Sequence, residues 1–178
     1  MLIRRRLPAN LTPLSTTESR DTGLACGPEA AYSALRLQRE EPRMKIATQP
    51  QPEQIQELLK GPADTPVVMV NLLSFKKEAD GGNEGMSGQE SYMLYGGKMR
   101  EFVESKGGRF IWTGRVDSMV LGESDVDFQV VALVEYPSRK AFVEIASSPH
   151  VAEIGQDRSK GLAGQWLIAT TAVEGLGE

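Results

Sequence analysis

Cysteine and histidine are nearly absent from this chain, with one of each in 178 residues. A lone cysteine excludes an intrachain disulfide and any zinc or iron–sulfur site built on several thiolates. A lone histidine excludes a metal centre that needs two or three imidazoles from one chain. No metal is therefore expected. No apolar run is long enough to span a bilayer, so a membrane partner is not expected either. Basic charge is not in excess: 20 Lys and Arg face 24 Asp and Glu, for a formal charge of −4. That removes the usual basis for nucleic-acid binding, which comes mostly from Lys and Arg on phosphate. The glycine pairs Gly81-Gly82 and Gly107-Gly108 lack the spacing and the following Lys-Ser/Thr of a phosphate loop. There is no G-x-S-x-G nucleophile elbow. Nucleotide chemistry is thus not expected, and no cofactor is implied.

What is present divides at Met44. Residues 1–43 carry seven Arg and no Lys, whereas all eight Lys lie from Lys45 onward. Pro8, Pro13, Pro28 and Pro42 interrupt the first stretch, and it shows no sustained helical or strand period. Met1-Leu2-Ile3-Arg4-Arg5-Arg6 begins like a signal segment, but no apolar region follows. Residues 1–43 are expected to be a disordered or wrongly assigned extension. An Arg-rich transit segment and a native disordered tail both remain open. Met44 is a candidate start, because Arg39-Glu40-Glu41 can be encoded by a purine-rich stretch resembling a bacterial ribosome-binding site. Cys26 falls in this stretch and supports no catalytic role. Residues 44–178 are long enough for one domain, and a cytoplasmic location is expected.

The domain has a readable order. Gln51–Lys60 places Ile55, Leu58 and Leu59 on one helical face, and Gly61-Pro62 ends it. Pro66–Phe75 is β-branched and apolar on both faces, as in a buried strand. After a polar, glycine-rich loop, Tyr92, Tyr95, Met99, Phe102 and Val103 recur at helical steps. Ser87 or Ser91 can cap that helix, and Gly107-Gly108 stops it. Arg109–Gly122 reads as a second strand bent at Gly114, and Phe128–Tyr136 as a third. Ser138 caps a helix over Arg139–Ser147, Ser148-Pro149 starts another, and Gln165–Val173 is the last strand. The order β-α-β-β-α-β predicts an α+β, ferredoxin-like fold: a four-stranded antiparallel sheet with helices on one face. The other face would expose large Val, Leu, Phe and Trp side chains. A second copy of the chain would cover them, so a homodimer is expected.

Four segments carry a family resemblance. They are Pro66–Lys76 with its Asn71-Leu72, the spaced Tyr92 and Tyr95, Gly107-Gly108-Arg109, and Glu135-Tyr136-Pro137-Ser138 followed by Ser148-Pro149 and Arg158. In these the chain resembles the DUF1330 family of the dimeric α/β-barrel superfamily, over roughly residues 65–173. His150 stands where that family usually has an aromatic, and the loop over residues 78–88 looks long. The resemblance implies the same fold and a dimer. Superfamily relatives include cofactor-independent monooxygenases, isomerases and haem-binding enzymes.

Seven residues are candidates for chemistry. Asn71 interrupts an apolar strand and would either satisfy backbone or hold a substrate oxygen. Tyr92 and Tyr95 share a helix face and would either fill the core or line a cleft. Trp112 alternates with Phe110, so both are expected on one side, either packing or stacking on a flat ligand. Glu135, at a strand end, is a candidate general base or an ion-pair partner of Arg158 or Arg109. His150 is a candidate acid/base group, a helix-start residue or, at the far end of the range, a haem ligand. Arg158 is a candidate anchor for a ligand carboxylate, two turns from His150 and expected on nearly the same face. Two functions follow. One is a cofactor-independent monooxygenase or isomerase acting on a small organic molecule, with His150, Glu135 and Asn71 catalytic and Tyr92, Tyr95, Trp112 and Arg158 binding. The other is a non-catalytic small-ligand binder or structural homodimer. Convergence of these residues on one cleft separates the two.

Overall fold

The computed structural model describes residues 45–81, 85–173 and 175. The extension expected over residues 1–43 lies outside the described residues. The element order is α1 (Pro52–Leu59), β1 (Val67–Phe75), α2 (Gly88–Ser105), β2 (Arg109–Arg115), β3 (Val130–Tyr136), α3 (Arg139–Ala146), α4 (Pro149–Gly161) and β4 (Leu162–Thr170). The four strands form one antiparallel sheet in the order β2-β3-β1-β4. This is the ferredoxin-like arrangement expected from the sequence.

Local chemistry sets the helix starts. Ser87 caps α2 in a reciprocal box: the Glu90 amide donates to Ser87 Oγ at 3.2 Å, and the Ser87 amide donates to Glu90 Oε2 at 2.7 Å. Those Ser87 bonds, backbone first, hold the Glu90 carboxyl below its ordinary value. Ser138 caps α3 and Ser148 caps α4 by accepting from Ala141 and Val151 amides. Gly107, at φ +80°, turns the chain out of α2. The backbones of Gly88 and Gly161 touch, and a side chain on either would strike the other's carbonyl. That contact seats the start of α2 against the end of α4.

The register defines two faces. Toward the helices point Val67, Met69, Asn71 and Leu73 of β1, opposite Tyr136, Val134, Ala132 and Val130 of β3. The apolar members pack with Tyr95, Met99 and Val103 of α2, Phe142 and Ile145 of α3 and Ile154 of α4. Leu73, Phe75, Val130 and Leu162 form an adjoining cluster against Tyr92. The opposite face has no helix. Across it run the rows Trp112–Leu133–Val70–Ile168 and Gly114–Val131–Leu72–Trp166.

Three expectations need correction. β2 ends at Arg115 rather than Gly122, because a long connection, residues 116–129, leaves the sheet there. In it Val120 is 93% and Leu121 91% exposed. β4 begins at Leu162, three residues before the expected Gln165. Phe110 and Trp112 do not share a face: a register shift between them leaves Phe110 opposite Val134 and Trp112 opposite Leu133. One inserted residue reverses the side on which every later side chain stands. The open face therefore carries Val, Leu, Ile and Trp, while Phe110 turns to the helices with Arg100 5.0 Å over its ring.

Candidate functional site

The seven candidate residues fall into three places. Asn71, Tyr92, Tyr95 and Arg158 lie between the sheet and the α2–α4 pair. Glu135 and Trp112 lie on the open face. His150 lies on the outer helical surface.

In the first group, Asn71 stands on the helix side of β1 between Met69 and Leu73, half-buried. Its amide nitrogen donates to Met69 O at 3.2 Å and Ala132 O at 3.3 Å. Those two carbonyls fix the amide's orientation and direct Oδ1 away from them. On α2, Tyr92 packs at 5.2 Å against Phe75 with the rings tilted, and at 5.4 Å edge-on to Tyr95. Arg158 is brought to them by α4. Ile154, one turn earlier, shares the core cluster with Tyr95. Ser91 donates to Asp157 O at 3.0 Å, and Gly161 lies against the Tyr92 amide. Arg158 itself donates to Thr48 O at 2.7 Å. Among the described residues no carboxylate pairs with it.

Tyr136 of β3 belongs to this group, though its spacing alone did not nominate it. It is 6% exposed, sits in the same cluster as Tyr95 (8%), and packs edge-on to Phe142 at 5.1 Å. The signal was present in the alternation Val130, Ala132, Val134, Tyr136, which puts all four on one side of the strand. Burial pushes all three phenols above their ordinary value. For Tyr92 and Tyr95 the Arg158 cation opposes that rise, and for Tyr136 repulsion from Tyr95 and Tyr92 adds to it. The phenols are thus neutral and able to donate.

None of the three hydroxyls, nor Asn71 Oδ1, has a hydrogen-bond partner among the described residues. Yet no fully buried side-chain polar atom there lacks one. Each of these four oxygens therefore reaches accessible space. The three phenols lie within electrostatic reach of one another, and Tyr92 and Tyr95 within reach of Arg158, with Phe75, Met69 and Leu73 in the apolar clusters around them.

The other candidates stand elsewhere. Glu135 is held on the open face by Arg109, whose Nε and Nη2 donate to its two oxygens at 2.7 and 3.3 Å. The ion pair with Arg158 considered from sequence is thereby replaced by the one with Arg109. Trp112 is 53% exposed on the same face. His150 packs on Phe102 at 4.5 Å, and Lys106 Nζ lies 5.6 Å from the centre of the same ring. His150 and Arg158 both turn toward α2, His150 onto Phe102 and Arg158 toward Tyr92 and Tyr95, but eight residues set them about 12 Å apart along the helix axis. Among the described residues no cluster of acidic, His or Cys side chains is placed to hold a metal, and no helix is long and apolar enough to cross a membrane.

No family model matches the chain, and no curated protein matches it. Among solved structures it is similar to a protein of unknown function from Rhodopseudomonas palustris. That match has 27% identity and a TM-score of 0.66, and covers 73% of this chain and 99% of the other. The methylated form of that protein matches at 26% identity and TM-score 0.67, covering 75% and 100%. A cofactor-independent oxygenase from Streptomyces nogalater matches at 18% identity and TM-score 0.42, covering 64% and 99%, too distant to bear on function. By its own topology and by this likeness, the chain is a ferredoxin-like α+β protein whose structural neighbours include a protein of unknown function spanning the same domain.

Proposed function

We propose that this is a DUF1330-like homodimer that binds a small organic molecule in a recess between the sheet and the α2–α4 pair. The observation that carries the reading is the set of unsatisfied oxygens there. These oxygens belong to largely buried residues yet have no partner among the described residues, and a ligand supplying partners to Tyr92, Tyr95, Tyr136 and Asn71 would gain from each.

The dimer rests on the other face. Trp112 and Ile168 (45% exposed) stand at the two ends of an apolar row that no helix covers. Patches of this kind mark association surfaces, and a two-fold partner hides one at both copies at once.

Binding is favoured over catalysis because neither candidate base, His150 nor Glu135, lies in the recess. A second reading, a cofactor-independent monooxygenase or isomerase, is favoured by one observation. Neutral phenols beside an arginine would stabilise an enolate oxygen as it forms, with the base supplied by solvent or substrate. A thermal-shift screen of small organic molecules tests the main reading, since binding to the folded state alone raises the melting temperature. Hits should lose their effect in Tyr92→Leu and keep it in His150→Ala. Hits abolished by His150→Ala and indifferent to Tyr92→Leu would contradict it.

A further inference from the structure

We infer that the molecule held in this recess is a small organic carboxylate, with Arg158 as its counter-ion and the phenols of Tyr92, Tyr95 and Tyr136 as neutral donors. The inference rests on the recess being a ligand site and adds the chemical class of the ligand.

Charge balance is the first argument. Arg158 gives one N–H to Thr48 O and has no carboxylate partner among the described residues. A guanidinium has five N–H donors, most of which remain available. The neighbouring acid does not compensate it: Asp157 faces Lys98 at 3.2 Å and Lys160 at 3.9 Å. Glu135 is spent on Arg109 across the sheet. Among the described residues Arg158 is thus left without an anionic partner.

Donor count is the second. The three phenols act on one another, and Arg158 acts on Tyr92 and Tyr95, so a ligand seated among them would meet mainly donors. A carboxylate has two oxygens with about four acceptor sites, and a guanidinium can meet it bidentately. A neutral amide of the same shape brings donors of its own and leaves part of this set unmatched. Burial also opposes phenolate formation, so the hydroxyls keep their protons when an anion arrives.

The wall supplies the third. Phe75 and the rings of Tyr92 and Tyr95, inclined to one another at 53° and 66°, give an apolar surface beside the donors, suited to the hydrocarbon part of an aromatic or short aliphatic acid. Asn71 Oδ1 offers an acceptor for a hydroxyl on that part.

The test compares benzoate with benzamide, its neutral isostere, titrated into the full-length protein at neutral pH and followed by calorimetry. Benzoate should bind at least about tenfold more tightly, the equivalent of one charge-assisted contact. Arg158→Gln should erase the preference, Arg158→Lys should restore part of it, and Tyr136→Phe should weaken benzoate a few-fold. Near-ultraviolet circular dichroism checks that each variant is folded. Equal affinity for the two compounds, or a preference that survives Arg158→Gln, overturns the carboxylate assignment while leaving a small-molecule site standing. Failure of benzoate and of every compound in a neutral fragment set to bind overturns both.

Discussion

Trp112 and Gly114 stand two residues apart on the open face of β2, and the indole of the first fills the space that a side chain on the second would need. The glycine lets the ring lie along the sheet instead of standing off it. An exposed tryptophan thereby becomes part of a continuous apolar surface with Leu133, Val70 and Ile168.

Gly114→Val should push the indole off the sheet. The expected results are an altered near-ultraviolet tryptophan signal and a dimer about tenfold weaker. Sedimentation across a concentration series measures the second. A dimer of wild-type strength with a displaced indole would mean that the open face is not the association surface.

Leu133→Glu tests that surface at its centre. Leu133 lies between Trp112 and Val70 in one cross-strand row. A carboxylate there would be desolvated at both copies of a two-fold interface, at roughly several kcal/mol per ion. The variant should sediment as a monomer at micromolar concentration with unchanged helical circular dichroism.

Alkali should unfold the protein as its buried phenols ionise. Tyr92, Tyr95 and Tyr136 are all held above the ordinary value of 10.0 in the fold. A raised pKa means that the folded state favours the protonated form. The resulting stability is fully present below pH 10 and is lost as pH rises through the raised values. Phenolate absorbance of these three should appear together with loss of circular dichroism. Ionisation at ordinary pH without unfolding would contradict the burial.

Tyr95→Phe should leave stability within about 0.5 kcal/mol of wild type, because its hydroxyl has no partner to lose among the described residues. A large loss in chemical denaturation would mean that the hydroxyl is held by the fold and is not open to a ligand.

Arg139 supplies the contrast. It is buried, and its guanidinium donates to Pro62 O and to Thr171 Oγ1, each at 2.9 Å. It ties the connection before β1 to the residue that follows β4. Arg139→Met should cost about 3 kcal/mol, since hydrogen bonds to charged groups are the strong ones. Denaturant midpoints measure this, and a shift below about 0.5 kcal/mol would contradict the role.

Much of this architecture is legible along the chain because its causes are local. Ser87, Ser138 and Ser148 each cap the helix expected of them, since a cap needs only an amide two or three residues away. Tyr92, Tyr95, Met99 and Val103 mark the buried side of α2 by spacing alone. Asn71 announces itself as an amide in an apolar strand. Tyr136 was within reach of the same alternation argument, but its aromatic-Pro-Ser context drew attention to Glu135 instead.

Periodicity and capping therefore determined the elements, their order and the uncovered sheet face, because each depends on neighbours within a turn or a strand pair. Tertiary structure alone decided which side Trp112 takes, because a single inserted residue in β2 reverses it and leaves no mark in the local pattern. It also decided which cation Glu135 meets. Arg109 stands opposite it in the register of β2 and β3, while Arg158 is carried by α4 to the far side of the sheet. The grouping of the other candidates was settled the same way. A β1 amide, a β3 phenol, two α2 phenols and an α4 guanidinium share the helix side of the sheet only because strand register and the Gly88–Gly161 contact bring distant segments together.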